Sequence, residues 1–527
     1  MDRPNFLVIM TDQQRADHLG CYGNGVLRTP HIDSIASRGI RFEHFYVACP
    51  ICMPNRIVFM TGRMPSVNGS RHNGIPLDRN AVTFVDHLRH AGYRTALVGK
   101  CHLQNMTNKP VPAPPASLPE ELRDASRERR LGAEYEAELM HLWRTDPERS
   151  VQTPYYGFDA VRFADGHGDQ VHGHYTKWLR DRHPDPDSLR GWQNALPAAG
   201  LRAPQAWRTA MPEQLYPTSF VADETIRYLA DYAAGERAQP FFLHCSFPDP
   251  HHPFTPPGRY FDLYDADRIP LPASFHAVGE AEPPFLTELR QLAAAGRSNT
   301  SGPVPFATDD EVAVRQMIAL TYGMIAMIDD AVGRVLSELA RLKLDENTVV
   351  VFTSDHGDFM GDHGLMLKHG LHYEGVLHVP FLWADPQEPH ASVSPVLGGT
   401  IDIGTTVLAR AGLIPGNGNQ GFDVVACARA GRQPDRFGLM VEEDELGVHL
   451  GSEHGLRTRT FLTPRWRLTL WDGVAQGELF DRETDPEELR NLWSSPAHQA
   501  KKAELIEMML REKIRLGDSA PLTHFVA

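Results

Sequence analysis

The sequence predicts an α/β fold: an α/β/α sandwich around a large, mostly parallel sheet, with a smaller C-terminal α+β domain that carries a short antiparallel sheet. Over the first 430 residues, continuous apolar runs typical of buried parallel strands alternate with amphipathic helices. Several runs end in clusters of Asp, His, Lys and Gly, where open α/β sheets place ligand-binding groups. Later apolar segments are short and turn-bounded, as in antiparallel strands. We therefore place the domains at 1–430 and 431–527.

The composition excludes several functional classes. The chain has 527 residues and a formal net charge of −15, which argues against nucleic acid as a partner. No apolar run approaches the length of a membrane span, and the first ten residues lack the pattern of a signal peptide. Six Cys without dense spacing do not indicate a disulfide scaffold. We expect a cytoplasmic protein that binds neither nucleic acid nor membranes.

The elements before residue 104 are predicted from apolar runs and from the positions of Pro and Gly. Pro30 suits the first turn of a helix and Gly39 its end. Pro54 and Gly62 mark a second helix in the same way, and this helix begins near Cys52. The predicted strands are 6–10, 40–47 and 94–98, and the predicted helices are 29–39, 52–62 and 83–90.

The segment 104–213 interrupts this order. Its first part is rich in Pro, Asn and Ala, 119–147 is charged and mostly helical, and 151–213 has many His, Asp, Trp and Pro without a clean period. We interpret it as an elaboration on the core that serves as a lid or a subunit contact. We accordingly expect a homo-oligomer, either a dimer or a tetramer.

Regular alternation resumes after residue 213. The longest predicted helix is 308–342, with Thr308 and Glu311 as a capping box. Residues 255–305 are rich in loops. The other predicted helices are 219–233, 402–411 and 500–513, and the predicted strands are 240–246, 348–353, 379–383, 461–462, 466–470 and 478–480.

Two strand ends carry groups that could bind a metal. Asp12 and Gln13 follow the first strand, and Asp355 and His356 follow the strand at 348–353. Two carboxylates, an amide oxygen and an imidazole suit one divalent cation such as Ca²⁺, Mn²⁺ or Mg²⁺. The alternative is that both Asp residues are helix N-caps, the usual role of Asp in a turn from strand to helix.

Cys52 is the candidate nucleophile, and its pattern allows several roles. A thiol at a helix N-terminus favours the thiolate, so Cys49 and Cys52 could form a redox pair or half of a zinc site. A buried structural Cys is the other alternative. None of these roles explains Pro54 and Arg56, which follow at fixed spacing.

The run Cys52-x-Pro54-x-Arg56, followed by Thr61-Gly62-Arg63, resembles the signature of the sulfatases. The resemblance implies that a formylglycine-generating enzyme oxidises Cys52 to formylglycine during maturation. In the hydrated form, one hydroxyl binds the metal and attacks sulfur, and the other later expels sulfate. It also implies that Arg56 orients residue 52 and stabilises the oxyanion, and that 1–430 is the catalytic domain.

Further segments resemble sulfatase elements that bind the ester. Gly99-Lys100-x-His102-Leu103 implies that Lys100 contacts substrate and that His102 supports residue 52. The segment 361–368 implies a substrate-binding role for Lys368. These cations would hold the non-bridging oxygens of the ester.

The leaving group and its oxyanion have their own candidates. Pro250-His251-x-Pro253-Phe254 resembles the element whose His is the general acid, which favours His251 over its neighbour His252. Asn73 is expected to hydrogen-bond the oxyanion, or else it is simply a turn residue.

The metal motifs set the predicted reaction and its alternatives. The run 353–357 resembles the second metal motif of sulfatases and other members of the alkaline phosphatase superfamily. Gln13 replaces the second of two adjacent carboxylates, as in the phosphonate monoester hydrolase branch. We predict hydrolysis of sulfate monoesters of aryl or small alkyl alcohols, which are small anionic esters. Loops near 104–213 and 255–305 are expected to determine which ester is bound. A phosphonate monoester hydrolase or phosphodiesterase, an enzyme with both activities, and a non-catalytic anion-binding module remain alternatives.

Overall fold

The computed structural model describes residues 3–109, 130–235, 238–279, 282–302, 304–445 and 455–525. The strands are β1 (Asn5–Thr11), β2 (Ile40–Tyr46), β3 (Arg94–Gly99), β4 (Ala160–Phe163), β5 (Phe241–Ser246), β6 (Phe306–Ala307), β7 (Thr348–Ser354), β8 (Leu365–Met366), β9 (Phe381–Ala384), β10 (Ser392–Gly399), β11 (Leu439–Asp444), β12 (Arg457–Leu462), β13 (Trp466–Trp471) and β14 (Glu478–Asp481). The helices are α1 (Pro30–Ala36), α2 (Cys52–Thr61), α3 (Pro65–Asn68), α4 (Phe84–His90), α5 (Met140–Thr145), α6 (His174–Arg180), α7 (Pro217–Ala234), α8 (Pro284–Ala294), α9 (Glu311–Arg341), α10 (Glu374–Leu377), α11 (Ile403–Arg410), α12 (Val424–Arg429) and α13 (Gln499–Arg515).

Eight strands form the large sheet, in the order β10-β2-β9-β7-β1-β5-β3-β4. β9 runs antiparallel to both of its neighbours, β2 and β7, and the other pairs in the sheet are parallel. The predicted, mostly parallel sheet is therefore confirmed. The parallel strands bring their carboxyl ends to one edge.

Both faces of this sheet are covered, as the apolar strand at 6–10 predicts. Within β1, Phe6, Val8 and Met10 point into one apolar core, and Leu7 and Ile9 point into a second core on the other face. The first core includes side chains of α2, α4 and α11, and the second includes side chains of α1, α7 and α9. Burial of each such side chain contributes roughly 1.5–3 kcal/mol, so β1 anchors the α/β/α sandwich from its centre.

The segment 104–213 is more than an elaboration on the core. Its strand β4 pairs in parallel with β3 and forms an edge of the large sheet. The predicted helical stretch, 119–147, is described from residue 130 onward, where the structure has the 3-10 helix Ala133–Tyr135 and α5 joined by non-helical residues. The prediction is therefore confirmed only in part there, and 119–129 lies outside the described residues. β4 is only four residues long and alternates exposed and buried side chains, so it lacks the continuous apolar run that identifies the other parallel strands.

A hydrogen bond to His174 links the start of α6 to the end of β4. The backbone N–H of Phe163 donates to His174 Nδ1 at 3.0 Å. Burial, and then the charge of Arg162, lowers the pKa of His174 from 6.5 to about 3. The imidazole is therefore neutral in the folded protein at any pH above that value.

Acid should weaken this contact in a measurable way. Below its ordinary pKa of 6.5 the unfolded chain binds a proton at His174, whereas the folded chain does so only near pH 3, so acid favours unfolding. We expect the stability advantage of the wild type over His174→Gln to shrink by about 2 kcal/mol between pH 7 and pH 5. Paired urea unfolding curves would measure it. The exposed His390→Gln is the control, and an equal pH dependence for both variants would contradict the prediction.

The long helix α9 begins later than predicted. Asp310 is its N-cap and accepts a hydrogen bond from the backbone N–H of Ala313, so the predicted capping box of Thr308 and Glu311 is wrong. The backbone N–H of Thr308 instead donates to the carbonyl of Gly364 at 2.8 Å, beside the paired strands β6 and β8. By length and composition α9 could cross a membrane, but 72% of its most apolar 18-residue stretch is buried inside the protein.

The C-terminal part contains the predicted antiparallel sheet, with the strand order β11-β12-β13-β14. Its first strand, β11, was not predicted. Leu439, Phe461 and Leu468 of this sheet belong to the same apolar core as Phe6 of the large sheet. The two sheets therefore share a core, and the division at residue 430 stays a prediction.

Candidate active site

The predicted site residues converge at the carboxyl edge of the large sheet. Asp12 follows β1, His251 follows β5, and Asp355 follows β7. Asp12, Cys52, Asp355 and His356 each offer one ligand atom, and these atoms all lie within 4.8 Å of one another. The sequence places these residues up to 344 positions apart, from Asp12 to His356, and the sheet topology brings them together.

Helix α2 presents Cys52 to this cluster. Cys52 is its first residue, and Gly62 ends it in the left-handed conformation at φ 62°, which glycine adopts without steric cost. Asn73 Oδ1 accepts a hydrogen bond from the backbone N–H of Met53 at 3.2 Å. Asn73 thus satisfies an otherwise unpaired donor in the first turn of α2. Its predicted contact with the oxyanion stays a prediction.

The side chain of Cys52 is 2% exposed. Its Sγ lies 3.0 Å from His356 Nε2 and 3.8 Å from Asp12 Oδ1. Burial, and then the charge of Asp12, raises the pKa of the Cys52 thiol, and burial raises that of Cys49 well above its usual range. The expectation of a favoured thiolate is therefore wrong, because burial, and then the Asp12 carboxylate, outweighs the effect of the helix N-terminus. This removes the basis of the redox hypothesis.

Arg56 holds the two carboxylates of the site. Its Nε donates to Asp355 Oδ2 at 2.7 Å, and its Nη2 lies 3.5 Å from Asp12 Oδ2. Nη1 donates to the carbonyl of Lys100 at 3.1 Å and to Ser246 Oγ at 2.9 Å. None of these contacts is to the Cys52 side chain, so the predicted role of Arg56 in orienting residue 52 stays a prediction.

Asn55 is a buried residue of the site that the sequence analysis missed. Its Nδ2 donates to the carbonyl of Asp355 at 2.5 Å, and its Oδ1 accepts from Thr400 Oγ1 at 2.7 Å and from the backbone N–H of Ala48 at 3.1 Å. It ties α2 to the end of β7. Its only sequence signal is its position next to Arg56.

His356 has one nitrogen free to act as a ligand. Its Nδ1 lies 2.9 Å from the carbonyl of Gly357. A carbonyl can only accept, so Nδ1 carries the hydrogen and the lone pair is on Nε2, which faces Cys52. Burial lowers the pKa of His356 to about 4. This fixed, neutral tautomer is the form in which imidazole binds metals.

Gln13 lies at the site, but its amide is engaged elsewhere. Its Oε1 accepts from Lys368 Nζ at 2.7 Å, and its Nε2 donates to Asp358 Oδ2 at 2.6 Å. Its backbone N–H donates to Asp355 Oδ1 at 3.1 Å. Asp358, whose pKa burial raises to about 6, was given no role from the sequence although it closes the Asp-His-Gly-Asp run. It fixes the orientation of the Gln13 amide.

Lys100 is fully buried and contacts the carboxylate of Asp12. Burial alone would lower the pKa of Lys100, but Asp12 outweighs it and the pKa is raised. Burial alone would raise the pKa of Asp12, but the charges of Lys100 and Arg56 outweigh burial and hold this pKa well below its usual range. Both groups are therefore charged at neutral pH.

His102 does not show the predicted contact with residue 52. Its backbone is in the left-handed region at φ 56°, and burial followed by the charge of Lys100 lowers its pKa well below 6.5. Its buried Nδ1 has no hydrogen-bond partner among the described residues. Support of residue 52 by His102 stays a prediction.

Lys368 and His251 form a direct pair, with Nζ and Nε2 2.9 Å apart. His251 Nδ1 lies 2.5 Å from the carbonyl of His252. The ammonium can only donate and the carbonyl can only accept, so the hydrogen of His251 is on Nδ1 and Nε2 is an acceptor. Burial, reinforced by His167 and His252, keeps the pKa of His251 well below its usual range.

His167 completes the site from the segment 104–213. Its Nε2 lies 2.9 Å from Lys100 Nζ, and its ring stacks on that of His251 with centroids 3.6 Å apart and an interplanar angle of 12°. Two ammonium groups, Lys100 and Lys368, thus flank a stacked pair of imidazoles. The sequence signal was present but unused: Asp165-Gly166-His167 follows β4 as the other site residues follow their strands.

The donor set fits a divalent cation. Asp12 and Asp355 are buried carboxylates, and His356 Nε2 points its lone pair at the same space. Hard oxygen donors with one imidazole suit Mg²⁺, Ca²⁺ or Mn²⁺. In this state the charges of Arg56 and Lys100 balance both carboxylates, which also argues against their being ordinary helix caps.

Comparison with known proteins finds similarity over most of the chain. The family model described as sulfatase matches residues 4–413. An uncharacterised sulfatase of Escherichia coli strain K12 is 27% identical, with 93% of this chain and 83% of that protein covered. An arylsulfatase of Clostridium perfringens is 26% identical, with 97% and 94% covered.

A solved structure shows the same fold. The phosphonate monoester hydrolase of Agrobacterium radiobacter superposes with a TM-score of 0.75 at 24% identity, and the alignment covers 99% of this chain and 98% of that one. The likeness extends over both sheets.

Proposed function

The chain is an enzyme that belongs to the sulfatase family, and on that premise we propose that it hydrolyses sulfate monoesters of aryl or small alkyl alcohols. The observation that carries this proposal is the pair of ammonium groups, Lys100 and Lys368, on either side of the stacked imidazoles next to residue 52. A sulfate ester presents non-bridging oxygens that such cations stabilise as charge moves in the transition state.

The nucleophile is proposed to be formylglycine made from Cys52 by a formylglycine-generating enzyme. In support, the chain's own groups disfavour the thiolate of Cys52, so an unmodified thiol would be a weak nucleophile here. The geminal hydroxyls of a hydrated aldehyde would stand within hydrogen-bond reach of His356 and Asp12. Those groups can orient the attacking hydroxyl.

One divalent cation is proposed to be held by Asp12, Asp355 and His356, with Gln13 as a further ligand after its amide turns from Lys368. When bound, it supplies Lewis-acid charge to the reacting oxygens. Arg56 keeps both carboxylates in place for this role. Hard donors of this kind suit Ca²⁺, Mn²⁺ and Mg²⁺ alike.

We propose Lys368, rather than the predicted His251, as the general acid. His251 Nε2 accepts a hydrogen bond from Lys368, so a proton for the leaving oxygen starts on the ammonium and passes directly or through Nε2. We expect Lys368→Met to lower kcat/KM about 10²–10⁴-fold for a phenol-type leaving group, and much less for para-nitrophenol, which needs little protonation. Steady-state kinetics on a series of aryl sulfates would measure the dependence on leaving-group acidity.

The exposed Lys343→Met is the matched control for Lys368→Met, since it removes one ammonium far from the site. A loss of equal size for good and poor leaving groups would contradict the acid role. It would leave Lys368 as a group that only binds the ester.

A phosphonate monoester hydrolase is the second candidate, favoured by one observation. Gln13 stands where a second carboxylate would make the site more negative, as in that branch of the superfamily. Sulfate monoesters and phosphonate monoesters both carry one negative charge, so the same cations can serve either ester.

Matched substrates decide between the two. Purified enzyme, produced with a formylglycine-generating enzyme, would be assayed on para-nitrophenyl sulfate and para-nitrophenyl phenylphosphonate. We expect the higher kcat/KM on the sulfate. A higher value on the phosphonate would replace the proposed function with the second candidate, and an intact Cys52 thiol with no turnover of either ester would support an anion-binding module.

A further inference from the structure

A cavity of about 850 Å³ has His167 in its lining. His167 stacks on His251, so the cavity borders a residue of the active site. Pro253, next to the histidine pair, lines it as well. Its volume is that of a cleft for a small organic molecule, larger than a simple nitrophenyl group requires.

The charge of this cleft differs from that of the molecule. Among the described residues its lining includes Lys109 and Arg144 and no carboxylate. Four other surface cavities, of about 400 to 800 Å³, each contain carboxylates. A lining with cations only is unexpected on a chain of net charge −15. It creates a local positive potential that favours an anion.

The guanidinium of Arg144 is exposed at the cleft and has no carboxylate partner among the described residues. Its Nη2 donates to His172 Nε2 at 3.2 Å, which holds the guanidinium beside the loop that carries His167. Neither Arg144 nor Lys109 forms an ion pair with any carboxylate that the structure describes, and both side chains are exposed. The exposed Arg511, by contrast, is paired with Glu507.

Trp192 and Trp207 both line the cleft, and the buried carboxylate of Asp169 anchors the segments that carry them. Asp169 Oδ2 accepts from Trp207 Nε1 at 2.9 Å, from Thr209 Oγ1 at 2.7 Å and from the backbone N–H of Gly191 at 3.1 Å. Gly191 precedes Trp192, whose ring is 67% exposed at the cleft. An exposed Trp held by such an anchor presents a flat apolar face to a ring-shaped ligand.

We propose that this cleft binds the alcohol part of the ester, and that the preferred alcohol is ring-shaped and carries a second negative charge, a carboxylate or another sulfate. The ring would stack on Trp192 while the second anion meets Arg144 and Lys109. This inference rests on the proposed function, because it takes the reacting ester to lie at residue 52.

Two matched esters test the inference. One is the sulfate ester of a phenol with a carboxylate on a short alkyl side chain, and the other is its uncharged amide. The spacer keeps the acidity of the two phenols alike, so kcat/KM reports recognition. We expect about a tenfold preference for the carboxylate, and added salt should reduce it.

Variants assign the preference to the cleft. Arg144→Gln should cut the ratio of carboxylate to amide about fivefold, because kcat/KM falls more for the carboxylate than for the amide. The exposed Arg511→Gln, with the same change in net charge, should leave the ratio intact. Trp192→Ala should raise KM about tenfold for both esters. Equal kcat/KM for the two esters, or a ratio insensitive to Arg144→Gln, would overturn the proposal.

Binding of the free phenols separates this inference from the proposed function. Calorimetry of the carboxylate and the amide phenols needs no turnover. If the enzyme has no sulfatase activity but binds the carboxylate phenol more tightly than the amide phenol, and Arg144→Gln removes this preference, the proposed function fails and the cleft assignment holds. Sulfatase activity with equal binding of both phenols would mean the opposite.

Discussion

Replacing Cys52 by Ala should abolish turnover, with kcat/KM on para-nitrophenyl sulfate falling on the order of 10⁴–10⁶-fold. The Cys52 side chain is the group at which Asp12 and His356 converge, within 3.8 Å of both. Without it no nucleophile stands at that point, and the remaining cations can only assist attack by water. The measurement is steady-state kinetics, with mass spectrometry of the peptide that contains residue 52 in the wild type.

Cys49→Ala is the matched control. Cys49 is also buried, three residues before Cys52, and its backbone N–H, which the substitution keeps, donates to Asn55 Oδ1 at 3.3 Å. We expect a small loss of stability and near wild-type kcat/KM. Comparable activity of Cys52→Ala and Cys49→Ala would show that residue 52 is not the nucleophile.

Arg56→Met should be the most destabilising change at the site. Arg56 is 2% exposed and is the cation between Asp12 and Asp355. Its removal leaves two buried carboxylates with Lys100 as their main counter-charge and also strips a hydrogen bond from Ser246 Oγ. Breaking a buried ion pair in this way costs about 3–5 kcal/mol. Urea unfolding of metal-free protein would measure the loss.

Added divalent cation should recover part of that loss, because it binds the folded state and replaces the missing positive charge. Arg511→Met, on the surface of α13, serves as the control and should change stability by less than about 0.5 kcal/mol. If Arg56→Met were as stable as Arg511→Met in metal-free solution, the two carboxylates would not depend on Arg56.

Much of the fold could be predicted because its parallel strands are buried on both faces. Strands such as β1 and β7 are buried throughout and contain a continuous apolar run, so their positions follow from the sequence to within one residue at each end. β4 could not be predicted, since an edge strand is covered on fewer sides and keeps polar residues. The start of α9 was misplaced because Thr308 and Asp310 are equally good caps in sequence, and the pairing of β6 with β8 decides between them.

The site shows the same division. Asp12, Lys100, His251 and Asp355 were each predicted from a motif at the end of a recognisable strand. His167 and Asp358 were missed, because their roles exist only through partners distant in sequence: Lys100, 67 positions away, and Gln13, 345 positions away.

The sequence by itself determined most strands of the large sheet, its longer helices and most of the chemical groups at residue 52, because strand-end motifs and a short signature carry that information locally. Only the tertiary structure decided how these groups are paired. It made Arg56 a partner of carboxylates, it fixed the tautomers of His251 and His356 through backbone carbonyls, and it brought the cleft of 104–213 against the site. Such pairings depend on distances between residues far apart in the chain, and no local pattern encodes them.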